Sequence, residues 1–295
     1  MTSNDSAPGR PRFTTWTWVL AALVAALALL VALGIIDRRG PGITRLETRS
    51  PIAGAAVAGV FIEPDDGRAP ILEELAAARE SISVIVYLLS DEETIMALET
   101  AAARGIEVRV ILEEHPFGGA GGQPELFRRL QTAGIDVRWG DPVFRFTHIK
   151  TIIVDDRVAL IMNQNLTYSA FTGNRELGVI TTRPEEVAAA VAIFAADWNR
   201  SGDAAAGPLI VSPTNSREEL IALINRAEET LDIYAEVVRD EAMLGAIGAA
   251  VERGVTVRLV MSGDDNDSNA EDRAWLAEAG VQIRLLSELY IHAKM

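Results

Sequence analysis

The chain has 295 residues, 49% of them hydrophobic and 23% charged, enough apolar material for one large or two small globular domains and too much for wholesale disorder. It contains no cysteine, which excludes disulfides and cysteine-bound zinc. The net charge is −15; residues 1–50 carry six Arg against three acidic residues, a net +3, so residues 51–295 carry −18. A surface so acidic repels polyanions and counts against nucleic acid as a partner.

Residues 1–15 form a polar tail, and the 21 residues Trp16 to Ile36 are almost wholly apolar. As a helix this run would rise about 31 Å, enough to cross a bilayer core. Trp16 and Trp18 suit an interfacial anchor, and Asp37 to Gly42 stops the helix. The expectation is therefore a single-pass membrane anchor, with a cleaved secretory signal as the alternative. Counting Arg on either side leans towards a cytoplasmic domain, whereas a short N-tail before a signal-like run leans towards an extracytoplasmic one, and the latter is adopted here.

Residues 37–64 read as a linker and lead-in strand. Beyond them lies an internal repeat: Ser81 to Glu114 aligns without gaps on Thr230 to Gly263 at an offset of 149, matching Asp91-Glu92 with Asp240-Glu241 and Arg104-Gly105 with Arg253-Gly254. In each copy the periodicity predicts a helix (69–80; 217–229), a strand (82–88; 231–237), a second helix, a strand (108–112; 257–261), a loop, a third helix ending at Gly134 or Gly280, and a short strand. Asp91 and Asp240 are read as N-caps, and Gly105 and Gly254 as helix C-caps. Residues 185–199 form a further amphipathic helix. The predicted organisation is a first half over 65–200, a linker over 201–208 and a second half over 209–295, in an α/β fold with a mixed or mostly parallel sheet flanked by helices in each half.

Three conspicuous stretches have ordinary readings. Gly118 to Gly122 lacks the Gly-Lys-Ser/Thr of a phosphate loop, His115 beside Pro116 has no companion ligand, and 264–269 resembles a calcium loop but has Ala270 where Gly is obligatory. No metal or cofactor is expected, and activity should survive chelation.

The chemistry concentrates in His148-Ile149-Lys150 and His292-Ala293-Lys294, which hold both lysines of the chain and two of its three histidines. A chain that otherwise uses Arg for its positive charge, yet keeps Lys at matching places in two repeats, needs a compact ammonium there. His148 and Lys150 are predicted on one strand, facing the same side. His148, Lys150 and Asp155 have the spacing His-x-Lys-x4-Asp, followed by Met162-Asn163-Gln164-Asn165. This pattern resembles the phospholipase D superfamily, with Met162 and Asn163 in place of the family's Gly-Ser and Asn165 matching its Asn; Glu176 matches its downstream acidic position. The resemblance covers about residues 65–295.

The resemblance implies two pseudo-twofold halves and phosphodiester cleavage or transfer through a phosphohistidine. One histidine attacks phosphorus and the other protonates the leaving oxygen, Lys150, Lys294 and Asn residues hold the phosphoryl oxygens, and Glu176 orients a histidine. Asp155 is read equally as catalytic or as a turn residue. The expected substrate is a phospholipid, cleaved by a membrane-tethered hydrolase; the alternatives are a cardiolipin-synthase-type transferase, an endonuclease and a non-catalytic scaffold. The first repeat continues for roughly 50 residues after its Lys, so the natural chain is expected to continue about 40 to 60 residues beyond Lys294, leaving His292 poorly positioned in the sequence as given.

Overall fold

The structure is a computed structural model that describes residues 57–117, 122–202, 204–263 and 269–295. The apolar run over 16–36, the calcium-like stretch over 264–268 and residues 118–121 of the Gly-rich loop lie outside the described residues. Among the described residues no helix is long and apolar enough to cross a membrane.

The fold is mixed α/β. Its larger sheet runs in the order β1 (Val57–Glu63), β7 (Asn174–Thr181), β6 (Val158–Met162), β5 (Lys150–Val154), β2 (Ser81–Val86), β3 (Glu107–Leu112), β4 (Asp136–Trp139). Strands β2, β3 and β4 are parallel, and the remaining pairs along this path are antiparallel. Helices α1 (Ala69–Ala77), α2 (Glu92–Ala103) and α3 (Gln123–Thr132) cover one face. The alternation of the strands sorts their side chains: Ile82, Val84, Val86, Val110, Ile152 and Leu160 join the core under these helices. Ile85, Ile111, Ile153 and Ala159 point the other way, under Val187, Phe194 and Trp198 of α5 (Pro184–Asn199). The short α4 (Tyr168–Thr172) links β6 to β7.

A second sheet contains β8 (Thr230–Tyr234), β9 (Thr256–Ser262) and β10 (Gln282–Leu286), all parallel, in the order β10-β9-β8. Helices α6 (Ser216–Asn225), α7 (Glu241–Glu252) and α8 (Ala270–Glu278) pack a separate core of Leu244, Ile247, Val257, Leu259 and Leu276 on it. The order β8-α7-β9-α8-β10 repeats β2-α2-β3-α3-β4, as the offset of 149 predicts. Both predicted caps form: Asp91 accepts from the Thr94 amide at 3.1 Å, and Asp240 from the Ala242 and Met243 amides, each at 3.1 Å. Gly105 and Gly254 take φ of 86° and 91°, the left-handed conformation that ends a helix.

Two boundaries differ from the sequence reading. The first helix of each copy stops at Ala77 and Asn225, short of 80 and 229, because the chain there turns into the next strand. Neither His148 nor His292 lies within a strand: β5 begins at Lys150, and β11 (Tyr290–Ile291) ends before His292.

Candidate active site

Five residues singled out in the sequence converge where the two sheets meet. Val86, the last residue of β2, pairs with Lys150, the first of β5, so Tyr87 immediately beyond lies over the His148-Lys150 pair. Its ring centroid is 4.5 Å from that of His148, and the Lys150 ammonium stands 5.3 Å from the Tyr87 ring centre. Lys150 Nζ donates to the His148 carbonyl at 2.8 Å and contacts the imidazole nitrogens at 3.1 and 3.2 Å.

The second pair arrives on a segment that serves both sheets. Tyr290 and Ile291 pair in parallel with Asn174 and Arg175 of β7, and the Ala293 amide donates to the Arg175 carbonyl at 3.0 Å. Two residues on, Met295 exchanges main-chain hydrogen bonds with Tyr234 at the end of β8. His292 thereby comes beside Glu176, whose carboxylate is fully buried and lies 2.7 Å (Oε1) and 2.9 Å (Oε2) from His292 Nδ1. Asn174 donates to the same carboxylate at 3.1 Å. Lys294 Nζ donates to the His292 carbonyl at 2.6 Å, repeating the first pair's geometry. The expectation that His292 would be loosely held is corrected: Glu176 and the β7 main chain hold it.

Glu236, which the sequence reading missed, completes the cluster. Its Oε2 is 2.7 Å from Lys294 Nζ and 3.7 Å from His292 Nε2, and Tyr290 donates to its Oε1 at 3.0 Å. The repeat offset was the signal available, since it places Glu236 opposite Tyr87 at the end of the matching strand.

The two halves differ electrostatically. The His148 ring reaches solvent at one edge, but its removal from water on the Tyr87 side, followed by the charges of Lys150, Lys294 and His292, pushes its pKa down to about 4. It is therefore a neutral imidazole at neutral pH. Lys150 is only 4% exposed, and burial, then the charge of Lys294, pushes its pKa down to about 7. Burial would raise the Glu236 carboxyl, but the hydrogen bond and charge of Lys294 win and hold it below the usual range.

Of the remaining predicted residues, Asn165 lies in the segment after β6 that hydrogen-bonds to Leu88, Ser90 and Asp91 through Leu166. Its Oδ1 is buried and accepts no hydrogen bond, and it is Asn163 that reaches the second half, donating to the Lys294 carbonyl at 3.2 Å. Behind them Gln164 donates to Glu63 at 3.2 Å. Glu63 faces Glu176 across β1 and β7, and burial, with the charges of Asp66 and Glu176 adding to it, pushes its pKa up to about 7.

Asp155 is not part of the site. It sits at the opposite end of β5 from Lys150, with φ of 53°, and accepts from the amides of Arg79, Glu80 and Ser81 at 2.7 to 3.1 Å. Of its two readings, the turn residue is the one the geometry supports. His115 is exposed in its loop, 4.0 Å from Glu114. Among the described residues no cluster of three or more His, Asp or Glu is arranged to hold a metal.

A neutral imidazole, a second imidazole against a buried carboxylate, and two ammonium groups around them are the components of nucleophilic and general-acid chemistry on a phosphate. Residues 71–198 and 220–295 match the family described as "Cardiolipin synthase, PLD-like domain", and the chain belongs to this phospholipase D-like superfamily. Its members are phosphodiesterases and phospholipid-modifying enzymes. Mitochondrial cardiolipin hydrolase of Homo sapiens is 33% identical over 131 residues, 44% of this chain and 50% of that protein. The Danio rerio protein of the same name is 31% identical over 134 residues, 45% and 58%. Cardiolipin synthase B of Salmonella typhimurium is 24% identical, covering 76% of this chain and 65% of that protein. The chain thus spans half or slightly more of the length of the two hydrolases. The solved structure of polyphosphate kinase from Porphyromonas gingivalis shares the fold, with a TM-score of 0.60 at 17% identity over 82% of this chain and 44% of that one.

Proposed function

We propose that the chain is a phospholipase D-like hydrolase that cleaves phospholipid head-group phosphodiesters, tethered to a membrane through residues 16–36 with its catalytic domain extracytoplasmic. The observation that carries the reading is the unequal pair of histidines. His148, neutral at pH 7, attacks phosphorus, forming a P–N bond as the P–O bond to the leaving alcohol breaks. His292, clamped by Glu176, gives its proton to the departing oxygen. In the second step the now neutral His292 takes a proton from water, whose oxygen attacks phosphorus and displaces His148, releasing a phosphomonoester. Lys150, Lys294 and Asn163, with Asn165, offer positive charge and amide donors to the phosphoryl oxygens.

A lipid substrate is favoured by a cavity of about 930 Å³ whose walls are mostly apolar. Its lining includes His148 and Lys150 together with Ile111, Ile153, Phe194 and Leu209. The acidic surface points the same way, as do relatives named for cardiolipin. Transfer to an alcohol in place of water is the second reading, favoured by the likeness to cardiolipin synthase B over three quarters of the chain. The test is incubation of the protein with liposomes of acyl-chain-labelled phospholipid, with and without added glycerol. Release of phosphatidic acid that disappears in His148→Ala supports hydrolysis, a glyceryl ester formed in its place supports transfer, and neither product refutes both.

A further inference from the structure

The offset of 149 sets Glu236 opposite Tyr87, and this is where the two halves of the site diverge most in charge. In the first half an aromatic ring lies against His148 and below the Lys150 ammonium, leaving that cation free of any carboxylate contact among the described residues. In the second half a carboxylate takes the same place, 2.7 Å from Lys294 Nζ and 3.7 Å from His292 Nε2. Glu176 holds the opposite ring nitrogen, Nδ1, and is fully buried behind the histidine. Nε2 is the nitrogen left to face a substrate, so Glu236 stands on the reacting side of the ring. It is partly exposed and fixed there by the Tyr290 hydroxyl. Its influence spans the whole centre, since its charge raises the proton affinity of both His148 and Lys150.

We propose that Glu236 is a specificity-determining residue that suits the site to singly charged phosphodiesters and sets it against doubly charged phosphomonoesters, the product among them. The proposal rests on the phosphodiester reading above and names the charge class that the site accepts. A phosphodiester carries one negative charge, and a phosphomonoester above its second pKa, about 6, carries two. Lys294, joined below about pH 7 by Lys150, attracts either ligand, and Glu176 and Glu236 oppose both. When the affinities for the two ligands are compared as a ratio, what remains is the interaction of the extra charge with the site. For a charge separation on the order of 5 Å, removing the carboxylate shifts that ratio by roughly ten- to a hundredfold at an effective dielectric near 20 with salt screening. The same repulsion hastens release of the monoester once the second step is complete.

The experiment measures binding and needs no turnover. The full chain is titrated calorimetrically at pH 8 with dimethyl phosphate, a diester monoanion, and with glycerol 3-phosphate, a monoester dianion. In Glu236→Gln, which keeps the shape and removes the charge, the affinity ratio is expected to move towards the monoester by about tenfold or more. In Glu236→Asp, which keeps the charge, it should stay within about threefold of wild type. Should Glu236→Gln fail to fold, Glu236→Tyr, which installs the first half's residue, takes its place and should shift the ratio in the same direction. A ratio unchanged by loss of the charge, or equal gains for both ligands, overturns the proposal. Failure of the wild-type protein to cleave phospholipid would instead refute the hydrolase reading and leave the titration to decide the role of Glu236.

Discussion

Lys150→Met is expected to make the protein more stable and inactive at once. The ammonium is 4% exposed and, among the described residues, has no carboxylate against it, its contacts being the His148 carbonyl and ring nitrogens and the Tyr87 face. Its fall from the ordinary 10.5 to about 7 corresponds to a cost of about 4 to 5 kcal/mol for keeping it charged in the folded state below pH 7. Methionine fills a similar volume and removes that cost, while the hydrogen bond to the carbonyl, about 1.5 to 3 kcal/mol for a charged donor, is lost. The net expectation is a gain of about 1 to 3 kcal/mol at pH 6. The pH dependence has a definite sign. Between about pH 7 and 10.4 the unfolded chain keeps the proton on Lys150 and the folded chain does not, so this residue makes wild-type stability rise with pH across that window. The advantage of Lys150→Met should therefore be fully present at pH 6 and shrink towards pH 9.5. Urea unfolding of both proteins at the two pH values measures it. A variant less stable than wild type at pH 6, or an advantage that does not change with pH, would refute the assignment of Lys150 as a buried, unpaired cation kept for a ligand.

His148→Ala should lower phospholipid cleavage by at least about 1000-fold with little change in melting temperature, since it removes the proposed nucleophile from a ring that reaches solvent; retention of a tenth of the activity would exclude that role. Asp155→Ala should do the reverse, costing about 1 to 3 kcal/mol through three main-chain amides deprived of their acceptor while turnover per folded molecule persists; denaturant titration and a rate normalised to folded protein separate the two. Gly178→Ala should destabilise by about 1 to 3 kcal/mol or more, because its Cβ would come 2.1 Å from Phe61 Cζ, and differential scanning calorimetry reads the loss.

Much of the architecture is legible in the sequence because it depends on local periodicity. The order of helices and strands, the caps at Asp91 and Asp240 and the turns at Gly105 and Gly254 follow from residues a few positions apart. That His148, Lys150, His292 and Lys294 belong together is legible from their rarity and their repetition. What is not legible depends on contacts across the chain. Glu176 is identifiable as a partner for a histidine, but that it serves His292 rather than His148 follows from the parallel pairing of β11 with β7, which no turn or spacing announces. Glu236 looks like any acidic residue at a strand end until the chain brings Lys294 beside it. Asp155 misleads for the opposite reason. A motif position within five residues of Lys150 looks catalytic, yet a whole strand separates them, and its carboxylate is engaged by the amides of 79–81.

The segment from Tyr290 to Met295 hydrogen-bonds to β7 on one side and to β8 on the other, and its His292 meets Glu176 across 116 residues of chain. Neither sheet by itself contains both histidines in their final surroundings. During synthesis the first sheet can fold and expose His148 and Lys150 while the proposed acid, His292, has not yet been made. On the hydrolase reading, a chain without this contact lacks one of its two histidines in place, and gain of activity reports closure between the two sheets. Such a closure joins residues far apart in sequence and forms late and slowly. Recovery of turnover during refolding should accordingly lag behind recovery of helical signal, because the proposed chemistry waits for the contact between the two sheets.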